Sequence, residues 1–416
     1  MATINTQYTP KLYKTTGNMS VAEWENARRN SLGGSDMSVI LGCSPYKTTA
    51  LDIYYQKIGK KAIAPPSQTQ NIIFSAGHFL ENMVANLFSF RTGYEAYEIK
   101  AMFEHPFHPH LRGNIDRFYR KKGEKNPLGF LECKTTSEYL APEWNDNKIP
   151  IHYRVQIATY MSILNMNSCK IACLFIPESL RWVAGILYQM RFVFEKFSKN
   201  VLGDIYDQLN SIKDPALEPY IPMIMSAFGG EMLVPEEFIA ECSEAINNKF
   251  VIRDFERDKN LEGLILSESD KFWKNYVEKR VEPPLDNEKG ANAIATLQKY
   301  VPSFVAPTPI ILPDGEELAE AATNIEQLKQ RKSALTAKVK SIDSQIEKLS
   351  VPFIEALKGA DKGVFTVDGK ETYVSYTANE RLSVKRADID RLKNTHPDVF
   401  DEIVTKSRTK PQLKIG

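Results

Sequence analysis

No stretch of this chain is apolar over the roughly 18–20 residues that a membrane-spanning helix needs, so no membrane function is expected. The opening residues, MATINTQYTPKLYKTTGN, lack the apolar core of an export signal, and a cytoplasmic location is expected. Cysteine is scarce. Five residues, an odd and scattered set, fit a reducing compartment better than a disulfide framework. Strong net charge is missing too: a formal charge of +1 over 416 residues rules out a histone-like binder. A local basic lining could still hold a phosphate backbone, because affinity follows the few phosphates contacted. Gly33-Gly34 has neither P-loop nor dinucleotide spacing, so no nucleotide cofactor is implied. There is no internal repeat.

What remains is an ordinary globular composition, 43% hydrophobic and 25% charged, with enough apolar residues for a large core. Helices are predicted over Val21–Asn30 and Ser75–Phe90, the latter with Leu80, Val84, Leu87 and Phe88 at helical spacing. Between them a glycine–serine turn, Leu32-Gly33-Gly34-Ser35-Asp36, leads into apolar Met37–Leu41. Short strands follow from Tyr97 to Cys133. Asn114–Arg120 and Gly129–Cys133 flank the polar loop Lys121–Pro127 as a hairpin. A helix over Ile151–Leu164 and a buried strand over Lys170–Ile176 complete a pattern that predicts a central sheet flanked by helices. Residues 189–247 read as mostly helical, Phe250–Ile252 as a late strand, and Pro302–Pro313 as a boundary.

After Asp314 the character changes. Leu318, Ile325, Val339, Ile346 and Phe353 occupy one heptad position, and Ala321, Leu328, Leu335, Ile342 and Leu349 the other. Only Lys332 breaks this seam, which predicts a coiled coil, in cis or between chains, or a long helix packed on its own domain. Val364–Tyr376 reads as a hairpin around Asp368-Gly369, followed by a polar helix over about Val384–Thr405 and a basic tail.

The chemistry lies in the first hairpin. Glu132 and Lys134 are two apart and project from one face of a strand. Asp116 on the preceding strand can be folded beside them. Carboxylates are hard oxygen ligands for Mg²⁺, which bridges to substrate phosphate and lowers the pKa of water. Lysine adds a compact charge that can orient or deprotonate water, or stabilise the transition state. Alone, a D-x(n)-E-x-K pattern is weak, and Lys134 could be a solvated edge-strand residue.

The neighbouring blocks make it specific. Trp24-x3-Arg28 with Leu32-Gly33-Gly34-Ser35-Asp36 comes first, then Leu41-Gly42-Cys43-Ser44-Pro45-Tyr46-Lys47 and Gly77-His78-Phe79-Leu80-Glu81. Gly113-Asn114-Ile115-Asp116, Leu131-Glu132-Cys133-Lys134-Thr135 and Tyr153-Arg154-Val155-Gln156-Ile157-Ala158-Thr159-Tyr160 follow in order. Across residues 20 to 180 the chain resembles the YqaJ-like viral recombinase and lambda-type exonuclease family of PD-(D/E)XK nucleases.

That resemblance implies an α/β (α+β) fold with a restriction-endonuclease-like central mixed sheet. It implies a nuclease domain over 1–285 with a helical insertion at about 189–247, a linker over 286–315, and a C-terminal extension over 316–416. It further implies Asp116, Glu132, the Cys133 backbone carbonyl and Glu81 as metal ligands, for two Mg²⁺ ions with Mn²⁺ able to substitute. Lys134 is the implied catalytic lysine and Gln156 its helper, while Arg28, Ser35 and Asn114 are implied to bind phosphate. Two departures stand out: Asn114 where such exonucleases can carry serine, and Ile115 where proline is usual.

The implied activity is 5′→3′ resection of double-stranded DNA ends for phage-type recombination by single-strand annealing. An annealing protein would be the partner, and a homo-oligomeric ring, with a trimer among the candidates, the assembly. The setting would be a bacterial cytoplasm if the gene is phage- or prophage-borne. An endonuclease of repair or restriction type and a non-catalytic DNA-end-binding protein are the alternatives.

Other signals are set aside. His105, His108 and His110 (EHPFHPH) have metal-like spacing, but the interleaved prolines predict an exposed connector. Cys169 and Cys173 read as core thiols, and no four-cysteine cluster suggests an iron–sulfur centre. Trp24 reads as a core anchor rather than a base-stacking platform. Arg120, Lys121, Lys122 and Lys125 read equally as a DNA-tracking patch and as a solvated loop.

Overall fold

The computed structural model describes residues 8–60, 68–193, 213–228, 235–285, 290–300, 315–360 and 362–376, together with 207, 209 and 211. The expected helix over Val384–Thr405, the basic tail and the proline-rich 302–313 stretch lie outside these. The chain divides into two compact units, Met1–Val305 and Ala306–Gly416.

The first unit begins with β1 (Lys11–Thr15), α1 (Val21–Arg29), α2 (Gly34–Ile40), α3 (Ala50–Lys57) and the long α4 (Gln68–Thr92). Strands β2 (Tyr94–Tyr97), β3 (Ala101–Glu104), β4 (Arg112–Asn114), β5 (Arg117–Lys121) and β6 (Gly129–Ser137) follow, then α5 (Ile151–Leu164) and β7 (Ser168–Ile176). Helices α6 (Glu178–Val193), α7 (Ile221–Phe228) and α8 (Glu236–Ile246) lead to β8 (Phe250–Glu256), α9 (Lys259–Phe272) and α10 (Gly290–Tyr300).

A five-stranded sheet in the order β2-β5-β6-β7-β8 is the frame. It is mixed, as expected: β6 and β7 run parallel and the other neighbours antiparallel. The parallel pair is joined through α5, the helical crossover that such a pair requires. Alternation sends Phe130, Ile171 and Cys173 into a core shared with α2, α3, α5 and α9. Leu131, Ala172 and Leu174 go to the opposite face and pack with α4, α6, α7 and α8. Each fully buried large side chain contributes about 1.5–3 kcal/mol. Cys169 and Cys173 are core thiols.

Three expectations need correction. Asn114–Arg120 is not one strand. β4 belongs to a three-stranded sheet, β1-β3-β4, and β5 to the central one, so Ile115 and Asp116 sit where the chain passes between sheets. Nor is 286–315 a linker throughout, because α10 packs within the first unit. There the Thr296 hydroxyl donates to Asp52 at 2.5 Å, Lys299 pairs with Asp52 at 2.9 Å, and Tyr300 packs its ring 4.4 Å from Tyr55. The histidines are not an exposed connector either. His105 and His110 are 2% and 7% exposed, and burial pushes their pKa values down to about 3 and about 4, so both rings are neutral.

The second unit holds α11 (Glu316–Leu357), 42 residues long, and the hairpin of β9 (Lys362–Val367) and β10 (Lys370–Ser375). Asp368 and Gly369 both have positive φ, 49° and 74°, the pairing that lets a two-residue turn match the strand twist. Phe353 at the end of α11 packs its ring 5.2 Å from Phe365. Along the rest of the helix the seam residues Leu328, Leu335, Ile342 and Leu349 are exposed. Among the described residues no helix is long and apolar enough to cross a membrane.

Candidate active site

Strand β6 carries Glu132 and Lys134 on the face turned toward α5. Glu132 is 1% exposed, and the Lys134 Nζ lies 2.5 Å from its Oε1. Gln156 on α5 donates Nε2 to the same Oε1 at 2.6 Å, with the Tyr160 hydroxyl accepting from it at 3.4 Å. The other oxygen, Glu132 Oε2, is buried with no hydrogen-bond partner among the described residues.

Asp116 enters from the break between sheets. Its Oδ2 accepts the Cys133 amide N–H at 2.9 Å, which pins it against β6 next to Glu132. A residue in a strand turns its N–H and C=O to the same edge, so the Cys133 carbonyl also faces the Asp116 side. Glu81 comes from α4, in the other helical layer, and Arg117 donates to its Oε1 at 2.5 Å. The same guanidinium reaches the Asp116 carbonyl and the Asn82 side chain.

Negative charge is crowded here. Burial, then the Asp116 charge, pushes Glu132 up to about 8 against the pull of Lys134. Burial and Asp116 likewise push Glu81 up to about 7, with Arg117 opposing. Burial works against the Lys134 ammonium, but Glu132 and Asp116 outweigh it and hold its pKa well above the ordinary lysine value.

These groups line one cleft of about 460 Å³, which also takes in Trp24, Arg28, Ser35 and Asn114. All the predicted side chains are therefore brought to a single space, where the Cys133 N–H holds Asp116. The Arg28 guanidinium stacks 4.7 Å above the Trp24 ring, so Trp24 floors the cleft rather than anchoring the core. Ser35 is exposed at the start of α2. Gly34 beside it is required by packing: a Cβ would fall 2.9 Å from the Gln156 carbonyl oxygen and 3.0 Å from its Cα. That close approach brings α2 and α5, and hence Ser35 and Gln156, into one site.

The sequence reading missed several contributors. Lys57, on α3, forms a buried ion pair with Asp36 at 2.7 Å and donates to the Arg28 carbonyl at 3.0 Å. Asp36 in turn accepts the Gly33 N–H at 2.9 Å, so the pair ties the end of α1 to the turn that presents Ser35. Asp36 itself was visible in the glycine–serine block, but a lysine on a helix reads as solvated. Arg117 was missed because strand alternation turns it from the Asp116 face toward α4. Arg120 is taken by Glu95, at 3.0 and 2.8 Å, leaving Lys121, Lys122 and Lys125 as the exposed cations of that loop.

Comparison with known proteins finds matches to the chain's sequence. The YqaJ-like viral recombinase domain matches residues 23–167. The uncharacterized protein YqaJ of Bacillus subtilis is 26% identical over 385 residues, 92% of this chain and 91% of its own length. Among solved structures, an alkaline exonuclease from Laribacter hongkongensis aligns over 63% of this chain and 95% of its own, at 13% identity and a TM-score of 0.37. A phage-related exonuclease from Haemophilus somnus aligns over 62% of this chain and 99% of its own, at 12% identity and the same TM-score, 0.37. The YqaJ-like viral recombinase family is thus the one this chain resembles, and residues 23–167 contain Glu81, Asp116, Glu132, Lys134 and Gln156 of the acidic cleft.

Proposed function

We propose that the cleft hydrolyses DNA phosphodiesters with Mg²⁺, Mn²⁺ being able to substitute, and that the enzyme is a 5′→3′ exonuclease acting on duplex ends. The observation that carries this reading is the convergence of Glu81, Asp116 and Glu132, with one Glu132 oxygen buried and unpartnered among the described residues and both glutamates pushed toward neutrality. Such an all-oxygen, charge-crowded set fits a hard divalent cation. Asp116, Glu132 and the Cys133 carbonyl would hold it, with Glu81 bound directly or through water. Bound there, the ion would supply positive charge to the scissile phosphate and lower the pKa of water.

The chain's own groups do the rest. Lys134, kept as an ammonium by Glu132 and Asp116, offers donors to phosphate oxygens as charge builds on them. Gln156 fixes the Glu132 carboxylate and Arg117 fixes Glu81. The Arg28 fork and the Ser35 hydroxyl suit a terminal 5′ phosphate, and the Asn114 amide can donate to the next one.

The viral-recombinase match supports a role in making single-stranded tails for an annealing protein. The exposed seam of α11 supports assembly of copies through that helix. The test is digestion of linear and of covalently closed circular duplex with Mg²⁺ or with EDTA. Linear DNA should be degraded in Mg²⁺ alone; cutting of closed circles would replace the exonuclease by an endonuclease.

A further inference from the structure

We propose that His108, His110 and Asp270 form a second, nitrogen-containing metal site, suited to Zn²⁺, which ties the β3–β4 connection to α9. The three ligand atoms lie within 4.8 Å of one another. Asp270 Oδ1 is 2.8 Å from His108 Nδ1 and 3.3 Å from His110 Nε2. Tetrahedral Zn²⁺, with bonds of about 2.0–2.1 Å, needs donor atoms roughly 3.3–3.4 Å apart. The His110–Asp270 separation already has that value, while His108, 22% exposed in its side chain, would rotate to open its 2.8 Å hydrogen bond to Asp270 and take its place as the third donor.

The surroundings orient each ligand. Lys274 holds the other Asp270 oxygen, Oδ2, at 2.8 Å, leaving Oδ1 directed at the two imidazoles. The Trp273 ring stacks on His110 at 5.7 Å and 13°, which fixes the plane of that imidazole, and Ser269 Oγ lies 3.2 Å from its Nε2. His105 Nδ1 accepts the amides of Phe107 and His108, each at 3.2 Å, and so shapes the turn that presents His108. Lys274 on Asp270 Oδ2 and Trp273 on the His110 ring leave the ligating atoms free and act as outer partners, whereas Ser269 Oγ, on His110 Nε2 itself, gives way to the ion. Two imidazoles and a carboxylate select a borderline metal such as Zn²⁺, whereas the acidic cleft is all oxygen and favours Mg²⁺. Three protein ligands on a partly open site leave the fourth position to water.

The test uses the untagged full chain carrying Asp116→Asn and Glu132→Gln, so that the acidic cleft no longer competes, stripped with EDTA and held in excess Mg²⁺. Calorimetric titration with Zn²⁺ should give one ion per chain. His108→Ala, and separately Asp270→Asn, should weaken binding at least tenfold while circular dichroism stays native. Zn²⁺ should also raise the melting temperature of the parent and not of His108→Ala. Absence of binding, or binding unchanged in both variants, would overturn the site and leave the cluster as a His–Asp hydrogen-bond network.

Discussion

Replacing Lys57 with methionine should be one of the most damaging changes outside the acidic cleft. The Lys57 and Asp36 side chains are 4% and 9% exposed and 2.7 Å apart, so methionine would leave a carboxylate buried without its counter-ion. Breaking a buried pair from one side costs about 3–5 kcal/mol, and the bond to the Arg28 carbonyl is lost as well. Adding Asp36→Asn removes the stranded charge, so the double variant should recover to within about 1–2 kcal/mol of the parent. The pH dependence has a defined sign. Burial pushes Asp36 up, but Lys57 and the Gly33 amide outweigh it and leave the carboxyl below its ordinary value of 3.8. The pair's stabilisation is therefore complete above about pH 4 and is lost as pH falls through the lower folded value. Urea unfolding of parent, single and double variants at pH 7 and pH 3 would show the gap between parent and Lys57→Met narrowing in acid. A loss below about 1 kcal/mol at pH 7, or a double variant no more stable than the single, would refute the reasoning.

Glu132→Gln should abolish hydrolysis, and melting in EDTA and in Mg²⁺ should show the metal-induced rise of the parent disappear. Gly34→Ala drives a methyl into the Gln156 backbone and should cost about 1–3 kcal/mol together with activity, read by melting and by turnover. Leu335→Asp with Ile342→Asp puts charge into the exposed seam of α11 and should shift any oligomer toward monomer in sedimentation velocity, without unfolding the first unit.

The central sheet was legible because its cues are local. Alternation about Glu132 and Lys134, a Gly/Pro loop and an uninterrupted helical pattern over Ile151–Leu164 each lie within one element, and the last matches α5 at both ends. The gathering of Glu81, Asp116, Glu132, Lys134 and Gln156 was legible only through the ordered blocks, since no periodicity brings α4 and α5 to one end of a sheet. What escaped depends on partners distant in sequence. The histidine turn reads as exposed until α9 covers it from 162 residues away, with His108 meeting Asp270. The proline-flanked 290–300 segment reads as linker until Thr296 and Lys299 find Asp52. Lys57 reads as solvent-facing until Asp36 is seen beneath it. The break at Ile115–Asp116 was hidden because β4 and β5 look like one strand, and only hydrogen bonding to different sheets separates them.

The central claim is tested most directly by one assay: release of nucleotides from 5′-phosphorylated linear duplex in Mg²⁺, comparing the parent with Lys134→Ala. Loss of a cation aimed at the phosphate should slow release at least about 100-fold while the fold and DNA binding persist. Mg²⁺-dependent release at the parent rate by Lys134→Ala, or no release by the parent, would contradict the assignment.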